Sequence, residues 1–172
     1  HAAPDLGQVQ TSLQTVVDES HRADEVIKSV RAMFRSATTT RAEVNLNELV
    51  RQVVALTERA IDSNNIALKM GLSDDQYTVV LADPIQLQQV ILNLILNAIE
   101  ALGSYGGPAR NLRIETGADG PDAVFLTVED SGPGFNKKVA DHLFNSFVTT
   151  KPNGMGMGLS ICKSIVQHHE GR

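Results

Sequence analysis

Pro84–Leu102 reads "PIQLQQVILNLILNAIEAL", a run that is apolar almost all round and is introduced by Asp83. A carboxylate able to cap, proline at the first helical position and Gln86 three residues past the cap make a helix-start signal, and the pattern predicts a helix to about Leu102. Apolar residues on nearly every side mark a buried helix. Yet Gln89, Asn93, Asn97 and Glu100 fall at steps of four, four and three, which puts them on one face. A polar group left without a partner in such a place costs about 1–3 kcal/mol. A lone helical Asn is most often solvated or bonded back to its own turn. Two of them at i and i+4 in an apolar surround point instead to a ligand or ion facing that stripe.

Around this helix the chain alternates helices and strands. Asn45 or Asn47 is placed to cap a helix over Glu48–Ile61, which stops at "DSNN" (62–65). Ile66, Leu68, Met70 and Leu72 alternate as a half-buried strand, and "TVVLA" (78–82) gives a short second one. Beyond the central helix, "NLRIET" (111–116) and "DAVFLTVED" (122–130) read as two further strands, and "LSICKSIVQHH" (159–169) as a last helix. The fold class expected is α+β, a two-layer sandwich with a mixed sheet packed on helices. Before it, Leu6, Val9, Leu13, Val16, Ser20, Ala23, Ile27, Val30 and Phe34 recur at steps of three and four, widened by Val17, Val26 and Met33. That seam predicts a long helix that packs in a bundle with more than one partner helix. The polar, Thr-rich "RSATTTRAE" (35–43) ends it, so residues 1–40 and 41–172 are expected to be separate parts.

Composition narrows the function classes. The 172 residues are 42% hydrophobic and 20% charged, enough for a real core. A net charge of −5 without a long basic run, with 5 Phe, 2 Tyr and no Trp, disfavours a nucleic-acid surface. The single cysteine, Cys162, forbids an intramolecular disulfide, suits a reducing, cytoplasmic compartment and reads as a small buried apolar residue. No apolar run is expected to reach membrane-spanning length and no leader opens the chain, so membrane contact from this segment is not expected, whether or not a longer parent is anchored.

Two more stretches break the rules of a plain core. Asp130 continues the strand face of Val124, Leu126 and Val128 and is expected to point inward. The "SGPG" turn after it leaves room for a flat group, such as an adenine whose amine meets the carboxylate, beside Gly132 and Gly134. A strand-ending Asp in an ordinary turn is the alternative. In "TTKPNGMGMG" (149–158), Lys151, backbone N–H groups around Gly154, Gly156 and Gly158, and the positive end of the helix near Leu159 converge on one spot. Neither the dinucleotide fingerprint nor the phosphate-loop spacing is present. Together the three stretches describe a nucleotide pocket with a glycine-hinged lid.

The same residues resemble a known family. "QVILNLILNAIEAL" (89–102) is similar to the N box of sensor histidine kinases, "VEDSGPGF" (128–135) to their first glycine box, "LFNSFVTTK" (143–151) to the F box and "NGMGMGLSICKSIV" (153–166) to the second glycine box. The boxes come in the family's order, with wording closest to the rhizobial oxygen-sensor type and PAS-linked relatives. "HRADEVIKSVRAMFR" (21–35) resembles the second helix of the dimerisation and phosphotransfer hairpin. The resemblance implies a Bergerat-type ATP-binding fold and, as cofactors, ATP and Mg2+. It implies that Asn97 binds Mg2+, that Asn93 contacts the ion or the phosphates, and that Asp130, Gly132 and Gly134 hold the adenine end. Lys151, Gly154, Gly156, Gly158 and Leu159 would hold the phosphates, with Phe144 and Phe147 at the lid's root. Asn93 and Lys151 are the catalytic candidates.

Implied partners are a response-regulator receiver domain and a second copy through the N-terminal bundle. The implied reaction passes the ATP γ-phosphate to a histidine and on to an aspartate. In ATP-hydrolysing relatives a Glu at the position of Asn93 activates water, and an amide has no such basicity. The family's acceptor histidine precedes an acidic residue and an N-x-P-L-like stretch on the hairpin's first helix. No such stretch is present: His1 does not match and His21 lies on the second helix. His142, His168 and His169 have no metal-ligand companions in sequence. This segment, which ends at "HHEGR" where the family continues into further strands, is expected to be part of a longer protein and not to phosphorylate itself.

Overall fold

The computed structural model describes residues 9, 12, 13, 15, 16, 41–74, 78–107, 109–149 and 156–172, with backbone alone for Lys137 and Lys138. The chain divides into two units, residues 1–38 and 39–172. In the first, the described residues Val9, Ser12, Leu13, Thr15 and Val16 are helical. Val9, Leu13 and Val16, three members of the expected seam, expose 47%, 61% and 65% of their surface in the single chain. The rest of that seam, His1, His21 and most of the expected linker lie outside the described residues.

The second unit runs β1 (Ala42–Asn45), α1 (Leu46–Ser63), β2 (Ala67–Leu72), β3 (Val79–Ala82), α2 (Pro84–Gly103), β4 (Asn111–Ala118), β5 (Val124–Asp130), a single turn α3 (Lys137–Ala140) and α4 (Gly158–His168). β4 is the middle strand of a mixed sheet, parallel to β2 and antiparallel to β5. β1 and β3 pair antiparallel as a separate ribbon, with Ala42 opposite Ala82 and Asn45 opposite Val79. The α+β layering expected from the sequence is the one observed. α2 packs on α1, on β4 and β5, and on α4. The core lies between them: Val50 and Val53 of α1, Ile91, Ile95 and Leu102 of α2, and Leu112 and Ile114 of β4 are fully buried.

Several expectations need correcting. Ala42 and Glu43, read as linker, belong to β1, a strand of four residues made by its pairing with β3 and too short to show a period. Of the two capping candidates, Asn45 caps α1, accepting from the Glu48 amide at 3.1 Å. Asn47 instead is fully buried, donating to the Ser73 carbonyl at 2.7 Å and accepting from the Thr116 hydroxyl. Asp83 does cap α2, its Oδ1 accepting from Ile85 and Gln86 amides at 2.9 and 3.1 Å. The return half of that cap comes from elsewhere, because the Asp83 amide donates to Nε2 of His169 at 3.0 Å. By length and composition α2, with 20 residues, does reach what a membrane span needs, contrary to expectation. Its Val90, Ile91, Ile95, Ala98, Ile99 and Leu102 are buried within the domain.

Candidate nucleotide site

Asn93, Asn97 and Ala101 stand at i, i+4 and i+8 of α2, a stripe about 12 Å long at 1.5 Å rise per residue. The first two meet α4 and the third meets the turn after β5. Asn93 donates from Nδ2 to the Cys162 sulfur at 3.8 Å, and that thiol donates to the Val90 carbonyl at 3.9 Å. Gly158, the first residue of α4, lies so close to Asn97 that a Cβ on it would be 3.9 Å from Asn97 Nδ2. Ala101 borders the Gly132 turn, where a Cβ on Gly132 would be 3.5 Å from the Ala101 methyl. The stripe expected to face something polar is therefore walled by small groups. Asn93 and Asn97 are half-buried, while Glu100 is exposed.

The Asp130 carboxylate sits at the open end of the sheet. Its residue pairs with the buried Leu112, on the face that carries the half-buried Val124, Leu126 and Val128. Against expectation the carboxylate is exposed rather than enclosed, and its Oδ1 accepts from the Gly132 amide at 2.8 Å. Strand register places it on that face, and the small turn satisfies one oxygen. Gly134 beyond it has φ +66 and is exposed.

At the other end, the chain at Phe147 is tied to the segment just ahead of α4. The Phe147 amide donates to the Gly156 carbonyl at 3.0 Å, with Phe147 itself at φ +68, a left-handed conformation that costs a non-glycine residue about 1–2 kcal/mol. Gly156 has φ +65, and a Cβ there would lie 2.5 Å from the Val148 carbonyl oxygen, so no other residue fits. Phe144 and Phe147 are exposed, and the Lys163 ammonium lies 6.0 Å from the Phe144 ring centroid. Leu159 is half-buried in the first turn of α4. The N-cap residue of α4, Met157, makes no side-chain capping bond, and the positive end of this helix stands beside Asn97. Lys151 and Gly154 lie outside the described residues.

The donor set suits a hard cation held jointly with phosphate oxygens. Among the described residues no group of three or more His, Cys, Asp or Glu is placed to hold a metal. The Asn97 side-chain amide meets the N-terminal end of a helix at the head of α4, and those two chemistries suit a hard cation shared with phosphates. Cys162 is buried, and burial pushes its thiol above the ordinary value of 9.0, the Asn93 hydrogen bond opposing it. Ala101, Cys162 and His169 were not singled out as site residues from sequence. Ala101 was findable, since it is the next i+4 step after Asn97; the other two depend on how α4 lies on α2.

A family profile described as histidine kinase-, DNA gyrase B- and HSP90-like ATPase matches residues 82–172. Among curated proteins, the sensor histidine kinase TmoS of Ectopseudomonas mendocina is 31% identical over 98% of this chain, and the sensor protein FixL of Bradyrhizobium diazoefficiens 33% over 98%. The chain spans 17% and 33% of those two proteins. Among solved structures, the catalytic domain of histidine kinase ThkA is 35% identical with a TM-score of 0.65, over 76% of this chain and 82% of that one. ThkA in complex with response regulator protein TrrA superposes with a TM-score of 0.76 at 29% identity, over 98% of this chain and 47% of that one. The amide stripe and the carboxylate turn are thus met in a chain that belongs to the histidine kinase-, DNA gyrase B- and HSP90-like ATPase family, and within it to the sensor histidine kinases.

Proposed function

We propose that residues 41–172 bind ATP with Mg2+ and form the catalytic part of a sensor histidine kinase, with residues 1–40 contributing the second helix of its dimerisation hairpin. The observation that carries this is the stripe on α2: Asn93 and Asn97 meet Cys162 and Gly158 of α4, while Ala101 meets the Gly132 turn beside Asp130. Adenine would lie at Asp130, Gly132 and Gly134, and the phosphates along Asn93, Asn97 and the head of α4, under Lys151, Gly154, Gly156, Gly158 and Leu159. Asn97, with Asn93, would hold Mg2+, which supplies charge neutralisation across the phosphates. The N-terminus of α4 adds positive potential at the same place.

In the reaction, a histidine nitrogen forms a P–N bond as the bridging P–O bond of ATP breaks and ADP leaves. The phosphoryl group then passes to an aspartate of a response regulator. An amide at Asn93 cannot deprotonate water, which favours transfer over hydrolysis. The exposed seam of Val9, Leu13 and Val16 fits a homodimer formed through the N-terminal bundle, in a protein whose catalytic part faces the cytoplasm. The test is calorimetric binding of a non-hydrolysable ATP analogue with Mg2+. The wild-type chain is expected to bind, Asn97→Ala to lose about tenfold or more in affinity, on the scale of a lost charge-assisted contact, and most of its Mg2+ dependence. Equal affinities in the two proteins would remove the assignment.

A further inference from the structure

His169 joins the two helices that frame the site, and it does so with both ring nitrogens. Nε2 lies 3.0 Å from the amide of Asp83, the N-cap residue of α2. Nδ1 lies 2.8 Å from the carbonyl of Ile165 in the last turn of α4. An amide can only donate and a carbonyl can only accept, so Nε2 must be bare and Nδ1 must carry the proton. A single neutral imidazole therefore completes the N-cap of α2 and adds a second bond to the Ile165 carbonyl, which already accepts from the His169 backbone amide at 3.1 Å. A ring protonated on Nε2, or on both nitrogens, would set N–H against N–H at Asp83.

Contacts along the pair fix an antiparallel register: His169 with Asp83, Cys162 with Asn93 and Val90, Gly158 beside Asn97. The Cys162 contacts, at 3.8 and 3.9 Å, are loose sulfur bonds that tolerate sliding. The bond at 3.0 Å does not, because an N–H donor bond keeps a range of about 0.5 Å whereas a slip of one residue moves a helix about 1.5 Å. Arg41 adds ties to the same end, donating to the His168 carbonyl at 2.7 Å and to Glu170 at 3.3 Å, but these fasten α4 to the flank of β1 and not to α2.

We propose that His169 is a positioning residue for the nucleotide site: as a neutral imidazole protonated on Nδ1, it sets the register of α4 along α2 and so where the head of α4 stands beside Asn97. The consequence for nucleotide affinity rests on the function proposed above; the register lock itself does not.

Long-range 1H–15N spectra of the full 172-residue chain, without nucleotide, should show His169 protonated on Nδ1 and bare on Nε2 at neutral pH. The reverse tautomer or a doubly protonated ring would overturn the proposal. His169→Ala should then shift the side-chain amide signal of Asn97 and weaken binding of a Mg2+-loaded ATP analogue about fivefold, the lower end of the range for coupled sites. His169→Leu, which keeps much of the bulk but offers neither an acceptor nor a donor, should do the same if the alanine variant fails to fold. Gln167→Ala, on the exposed side of α4, should change neither signal nor affinity. An unmoved Asn97 signal in a folded His169 variant would sink the lock. A wild-type chain that binds no nucleotide would sink the proposed function and leave tautomer and Asn97 signal to decide the lock.

Discussion

On the side of α2 that meets α1 and the sheet, Ile91, Ile95 and Leu102 are fully buried among Val50, Val53, Leu112 and Ile114. On the side that meets α4 and the Gly132 turn, Asn93, Asn97 and Ala101 face a cysteine sulfur and two glycines. One helix thus carries a face closed by branched aliphatics and a face kept open by small residues. The difference explains how amides can stand in so apolar a helix: the segments opposite them are too small to bury them dry. Stability should be concentrated on the first face and ligand affinity on the second.

The largest test of that division is Ile95→Ala. Its side chain is fully enclosed, so the cavity should cost about 2–5 kcal/mol in denaturant unfolding while the folded fraction keeps its affinity for an ATP analogue. Lost affinity with unchanged stability would reverse the roles of the two faces. Asn47→Ala comes next. It strips the Thr116 hydroxyl and the Ser73 carbonyl of their shared partner in the core, at a cost of about 1–3 kcal/mol, again read as stability.

On the open face the expected sign is opposite. Gly156→Ala forces a Cβ onto the Val148 carbonyl and a left-handed backbone onto alanine, about 1–2 kcal/mol of local strain. It should appear as weaker nucleotide binding with the unfolding midpoint little changed. Gly158→Ala meets only an ordinary contact at 3.9 Å and should be mild by both measures, so two alanines two residues apart would separate a conformational glycine from a merely small one.

The sequence was most legible where one residue type has one use. Proline and aspartate opening α2, the i and i+4 amides and the period-two strands were all readable locally, because they act within a few residues of themselves. β1 was missed because four residues hold no period and the strand exists only by pairing with β3. Strand alternation put Asp130 on the face of Val124, Leu126 and Val128, but the inward carboxylate it implied is exposed, because the residue ends β5 and alternation does not describe a strand's end. The capping of α2 shows the same limit. Gln86 stood at the spacing for the return bond, yet the Asp83 amide takes its acceptor from His169, 86 positions away, and no local rule chooses between them.

The smallest effect tests Cys162, which lines the open face but is buried like the closed one. Burial holds its thiol above the ordinary 9.0, so the folded chain keeps the proton while the unfolded chain begins to release it. The contribution to stability is whole below pH 9.0 and fades as pH rises through the folded value. Relative to Cys162→Ala, the wild-type chain should therefore lose stability on the alkaline side in pH-dependent unfolding. Asn93 opposes the effect through its hydrogen bond to the sulfur, so Asn93→Ala should push the thiol higher still and steepen that alkaline loss. Equal slopes in wild type and Asn93→Ala would mean that the amide is not bonded to Cys162, and that the site face and the core do not meet at this sulfur.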